Sequence, residues 1–343
     1  MTPRTFFTSR ARRRVLAVLA ALVVAAAGTA CDGDPKPWSA FGPIGELDSP
    51  TPVRYYEPVF SDVDVTSNIT WSTAPDLDDD PMAMKLDVYE PRGDTVTHRP
   101  AVVVAHSGGF FIGSKTNSVS VDLARHFAKA GYVVISIDYR RLANVDCGSL
   151  QGLISDASGC KVAAMAATSD GQAAVRWLRA NADTYGVDAE RIAMIGDSAG
   201  AIMAILAGML ADVPGNPEDP ASIEAMAGAP LNTSNLDQSS EVQAWSSISG
   251  GLPPTETPGL AEKLAESETL PSPGYLFSGT KDNQTPFAWS EATRDELVKL
   301  GRFVFWGPLE GAGHVPYSAY GTLFKTQSTR LFYLAMGSDA ATS

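Results

Sequence analysis

Three cysteines and four histidines in 343 residues leave little material for a metal centre, and neither a C-x-x-C nor an H-x-x-H spacing occurs in the chain. Zinc sites need those residue types in clusters, so no metal and no cofactor is expected. Positive charge is short as well: 26 Lys and Arg stand against 39 Asp and Glu, a net charge of −13. A surface this acidic repels phosphate backbones, so nucleic acid is not an expected partner. Runs long enough to cross a bilayer are also missing. The apolar stretch VLAVLAALVVAAA at 15–27 holds thirteen residues, where a spanning helix needs about 20.

That stretch fits an export signal instead, because basic residues precede it and the small residues GTA lead to Cys31. Removal of residues 1–30 takes away five arginines and no acid, which moves the net charge to −18. Small residues before a cysteine resemble a bacterial lipoprotein signal, in which Cys31 becomes a lipidated N-terminus and a membrane tether. Ordinary cleavage after Ala30 is the alternative. RRRVL at 12–16 also resembles a twin-arginine export signal. The mature chain is then expected outside the cytoplasm, as a cell-envelope lipoprotein or a secreted protein. There Cys147 and Cys160 remain as an even pair in an oxidising compartment, which favours a disulfide between them.

What remains has the composition of a globular protein with a sizeable core, 44% hydrophobic and 19% charged. Residues 31–51 read as a flexible polar tether, 52–337 as one domain without internal repeat or linker, and 338–343 as a tail. Within the domain, apolar strands alternate with helices. Strands are expected at 84–91, 100–109, 132–140, 191–198, 242–250, 274–280 and 302–307, and helices at 118–131, 169–186, 199–210, 287–301 and 322–337. Continuous β-branched runs such as PAVVVAHSGG suit strands covered on both faces. The pattern therefore predicts an α/β fold, a mostly parallel central sheet with helices on both faces. Two irregular segments, 141–168 and 211–241, read as loops of the kind that border a site.

Functional groups of a parallel sheet collect beyond the carboxyl ends of its strands. Ser198 stands there, in IGDSAGA, between an expected strand and an expected helix. Gly196 and Gly200 flank it, and a turn that sharp leaves no space for β-carbons beside the serine. A helix starting directly afterward aims the Ala199 N–H and a positive dipole end at any developing oxyanion. A serine hydroxyl needs a base, and histidine suits that task. His98 precedes a strand at its wrong end, His126 falls within a helix and His106 opens HSGG. His314, after the last strand, is left as the base. The acid that orients it is expected after a strand between Ser198 and His314 in chain order, which points to Asp282, with Glu256 and Glu310 as weaker candidates. In HSGGFFIGS, bare backbone N–H groups at Gly108 and Gly109 meet the need of an oxyanion hole.

With those residues in place, the stretch from about 55 to 336 resembles the α/β-hydrolase carboxylesterases, close to the hormone-sensitive-lipase and feruloyl-esterase-like groups. The matching pieces are LDVYEP, HSGGFFIGS, IDYR, GDSAG, GTKDNQTP and GAGHV. The resemblance implies Ser198 as nucleophile, His314 as base, Asp282 as acid and the N–H groups of Gly108, Gly109 and Ala199 as the oxyanion hole. It makes His106 and Asp138 structural. Ser107 replaces the first glycine of the lipase H-G-G-G, which leaves open which two N–H groups act.

The expected reaction is hydrolysis of a carboxylic ester, on a small or polymer-borne substrate. A prolyl-oligopeptidase-type peptidase shares fold and triad but usually carries a large screening domain, for which the N-terminal sequence has no room. A non-catalytic binding module on the same fold typically loses a triad member. Between Gly250 and the strand at 274 the chain is short, polar and rich in Pro and Glu. That is too little for a lipase-type cap, so short acyl groups are expected, with Phe110 and Phe111 as a small apolar wall.

Overall fold

The computed structural model describes residues 42–49, 51–76, 80–141, 160–211, 231–254 and 272–337. Its centre is one eight-stranded sheet: β1 (Val63–Pro75), β2 (Pro81–Pro91), β3 (Arg99–Ala105), β4 (Val133–Ile137), β5 (Val187–Asp197), β6 (Ala244–Ile248), β7 (Gly274–Gly279) and β8 (Val304–Leu309). They lie in the order β1-β2-β4-β3-β5-β6-β7-β8. The first two pairings, β1 with β2 and β2 with β4, are antiparallel. All pairings from β4 onward are parallel. The helices are α1 (Ser118–Ala130), α2 (Cys160–Ala180), the single turn α3 (Ala182–Tyr185), α4 (Ala199–Met209), α5 (Phe287–Lys299) and α6 (Tyr317–Met336).

Successive side chains of a strand point to opposite faces, so an unbroken apolar strand feeds two cores at once. β3 does this: Ala101, Val103 and Ala105 face the core under α2 and α4. Val102 and Val104 pack with α1 and α6. The predicted α/β class and the helices on both faces are therefore found.

Four differences from the sequence reading have physical causes. β1 was not expected, and it is an edge strand whose residues 64–68 are exposed. Register shifts between Thr66 and Ile69 and between Thr70 and Ser72 break the two-residue period that reveals a strand. α2 starts at Cys160, inside the segment read as a loop to 168. Residues 162–167, VAAMAA, are apolar throughout although Val162 and Met165 are only half-buried, so no polar face marks a helical period there. α6 likewise starts at Tyr317 rather than 322, after Pro316. Finally, part of the segment read as a flexible tether is docked. The Ile44 N–H donates to Gln327 Oε1 at 2.6 Å and its carbonyl accepts from Arg330 at 2.8 Å, which seats a buried isoleucine on α6. Cys31, Cys147 and Glu256 lie outside the described residues, as do 142–159, 212–230 and 255–271.

Candidate active site

Ser198 sits between the end of β5 and the start of α4 with φ 54° and ψ −114°, a left-handed conformation that costs a non-glycine residue and persists where packing over-determines it. The packing is visible on both sides. A β-carbon on Gly196 would lie 2.3 Å from the Gly200 carbonyl carbon, and one on Gly200 would lie 2.2 Å from the Ala105 carbonyl oxygen. Backbone bonds finish the turn: Ser198 N–H donates to the Ile248 carbonyl at 2.9 Å, and its own carbonyl accepts from Ala201 and Ile202 at 3.0 and 3.1 Å.

The loop after β8 carries His314 to this turn, with Nε2 2.8 Å from Ser198 Oγ. Its Nδ1 lies 2.8 and 3.0 Å from the two carboxylate oxygens of Asp282. A nitrogen against a carboxylate holds its proton, so the tautomer is assigned with hydrogen on Nδ1, and Nε2 is free to accept from the serine. Asp282 follows β7 and is buried. Burial opposes its charge, but the hydrogen bond and charge of His314, the Gln284 N–H and the Thr285 hydroxyl outweigh that and hold the carboxyl below its ordinary range. The structure thus brings together Ser198, His314 and Asp282, which are far apart in sequence. Glu310, the weaker candidate acid, is exposed beyond β8.

The HSGG turn follows β3 on the same edge of the sheet. Gly108 has φ +133° and Gly109 φ +60°, and a β-carbon on Gly108 would stand 2.0 Å from the Ile112 carbonyl oxygen. The Gly108 carbonyl accepts from the Phe111 and Ile112 N–H groups at 3.1 and 3.0 Å, closing the turn. Among the described residues, the N–H groups of Gly108, Gly109 and Ala199 donate to no backbone carbonyl.

His106 lies beneath this turn, buried, with Nδ1 2.6 Å from the Ser107 carbonyl and its ring stacked on Tyr139 at 4.1 Å. Burial pushes its imidazolium down to about 4, which suits a neutral structural residue. Asp138 accepts from the Lys115 N–H at 2.8 Å and fixes the next loop. His126 is half of a hydrogen bond between α1 and α6, 2.9 Å from Thr329 Oγ1.

The expected apolar wall is changed. Phe110, with φ +70°, turns inward and is fully buried near Tyr139. Only Phe111 and Ile112, 39% and 57% exposed, face outward, with the Phe111 ring against Gly109. The sequence reading also passed over Asp197, Ser249 and Thr285. Asp197 is wholly buried, and burial raises its carboxyl to about 6 although Ser107 and the charge of His314 act the other way. Its position next to the serine was the available signal. Ser249 and Thr285 gave none.

Comparison with known proteins agrees with this fold. The family model described as BD-FAE matches residues 86–250. The carboxylesterase NlhH of Mycobacterium tuberculosis is 34% identical over 119 residues, 34% of this chain and 32% of that protein. A chlorogenic acid esterase of Aspergillus niger is 30% identical over 234 residues, 63% of this chain and 43% of that protein. The chain thus spans less than half the length of either relative. Among solved structures, a thermophilic esterase from the planctomycete Thermogutta terrifontis, in its butyrate-bound form, superposes with a TM-score of 0.54 at 22% identity, covering 76% of this chain and 92% of that one. The chain thus has the α/β-hydrolase fold, and its sequence is similar to carboxylesterases and to a chlorogenic acid esterase.

Proposed function

We propose that the protein is a serine carboxylic-ester hydrolase that works through an acyl-enzyme. The observation that carries this reading is the continuous relay from Ser198 Oγ through His314 to Asp282, at 2.8 Å on each side of the imidazole. His314 Nε2 takes the serine proton as Oγ adds to the ester carbonyl carbon. The oxyanion meets backbone N–H groups at Gly108, Gly109 and Ala199, where the start of α4 adds the positive end of its dipole. Asp282 stays ionised and stabilises the imidazolium. His314 then gives its proton to the leaving alcohol, leaving an acyl group on Ser198. Water, deprotonated by the same nitrogen, releases the acid and restores the serine.

Short acyl groups are the favoured substrates in this reading. Phe111 and Ile112 offer a small apolar surface beside the turn, and the esterase from Thermogutta terrifontis carries butyrate in its bound form. The alcohol is a small molecule or a polymer-borne group that an open cleft admits. Export, a membrane tether through lipidated Cys31 and a Cys147–Cys160 bridge belong to the same proposal, and the disulfide on Cys160 supports the bridge. A side-by-side assay of aryl esters and aminoacyl-proline amides tests the reading: turnover of the esters alone is expected, and preference for the amides contradicts it.

A further inference from the structure

Two hydroxyls behind the triad join the loop of the acid to the loop of the base. Thr285, fully buried, places Oγ1 3.0 Å from Asp282 Oδ2, 2.7 Å from the Ser249 carbonyl oxygen and 3.3 Å from His314 Nδ1. Ser249, also buried, follows β6, and its Oγ accepts from the Val315 N–H at 2.9 Å, one residue after the imidazole. Ser249 N–H in turn donates to the Phe277 carbonyl in β7, at 2.8 Å. One serine therefore holds the acid turn through its carbonyl and the base loop through its hydroxyl, and is itself pinned to the sheet.

Backbone strain marks the same place. Ser249 and Val315 have φ of +56° and +41°, and neither is glycine. Such conformations persist only where surrounding bonds over-determine them, and they cluster at functional sites. Thr285 has one hydroxyl proton for two acceptors. The Ser249 carbonyl is the nearer at 2.7 Å and the ionised carboxylate at 3.0 Å is the intrinsically stronger acceptor, so the proton is shared between the loop after β6 and the acid. The Thr285 Oγ–H thus supports the ionised Asp282 alongside the Gln284 and Thr285 N–H groups, which lie 3.0 and 3.1 Å from Oδ1.

We infer that Ser249 and Thr285 form a clamp that keeps Asp282 and His314 in register, so that both are positioning residues for the serine chemistry. The inference rests on the proposed serine mechanism. Its consequence is that Thr285 acts through Asp282 and has no separate effect once that carboxylate is gone.

The test measures the second-order rate at which an alkyl fluorophosphonate labels Ser198, followed by intact-protein mass. In that step a P–O bond forms, fluoride leaves, and the serine proton passes to His314. It needs an activated serine but no knowledge of the natural ester. Thr285→Val is expected to label about tenfold more slowly, since small displacements of reacting groups cost rates of this order or more. Thr285→Ser is expected to recover most of the rate, and Ser249→Ala to lose several-fold with a thermal midpoint close to that of the parent. In an Asp282→Asn background, Thr285→Val is expected to change the rate by less than about twofold. Parent-like labelling of both Thr285→Val and Ser249→Ala overturns the clamp alone. A Thr285→Val loss of equal factor in the Asp282→Asn background overturns it too, since that is what general packing would give. Absence of labelling in the parent chain overturns the serine mechanism and the clamp with it.

Discussion

Gly200 packs against Ala105 so closely that a β-carbon on the glycine would stand 2.2 Å from the alanine carbonyl oxygen. That contact sets the start of α4 on the end of β3. It brings the Ala199 N–H and the HSGG turn to one place, and so links the conformation of the Ser198 turn to a backbone that cannot give way. Gly200→Ala is therefore expected to destabilise the fold by about 3 kcal/mol or more, as overpacking against rigid backbone does. Denaturant unfolding checks this, and a loss below about 1 kcal/mol would contradict the close contact.

Asp197 gives a pH signature in stability. Burial raises its carboxyl to about 6, so its favourable contribution is fully present below the ordinary carboxylate range and is lost as pH rises through about 6. Asp197→Asn, which cannot ionise, is expected to be more stable than the parent at pH 8, on the order of 2 kcal/mol. That advantage should vanish at pH 4. His106 and His126, both pushed down to about 4 by burial, act in the opposite direction as pH falls below their ordinary range, and they cancel in the comparison. Urea melts at both pH values read the difference, and an advantage independent of pH would refute the assignment.

The residues that meet at the candidate site were more legible than their surroundings. Ser198, His314 and Asp282 could be named because a strand-turn-helix junction, few histidines and chain order restrict the choices. β1 could not, since its register shifts break the alternation. The start of α2 was hidden because VAAMAA at 162–167 is apolar throughout, which leaves no polar stripe to mark a helical period. Phe110 and Phe111 look alike as a dipeptide, and only the left-handed backbone at Gly109 and Phe110 sends one ring inward and the other out. Thr285 and Ser249 act through contacts between loops 36 residues apart, which local sequence does not encode.

The proposed cysteine bridge is checked by mass spectrometry of the protein isolated from its native host under non-reducing conditions. Linked peptides containing Cys147 and Cys160 are expected, and reduction should cost about 3 kcal/mol of stability. Two alkylatable thiols would refute the bridge. The same spectra show whether Cys31 carries lipid or the chain begins there unmodified.

In the proposed reading, the small apolar surface of Phe111 and Ile112 favours short acyl groups. Across p-nitrophenyl esters of increasing chain length, kcat/KM is expected to peak between acetyl and butyryl. A maximum at twelve carbons or beyond would contradict that and require a longer sheltered channel.

The most direct measurement is the turnover of p-nitrophenyl acetate by the parent chain and by Ser198→Ala. Because members of a triad act as a unit, kcat in the variant is expected to fall by on the order of 10⁶, with the residue of activity due to the oxyanion hole and binding. Retention of more than about a hundredth of the parent rate would show that Ser198 is not the nucleophile and would contradict the account.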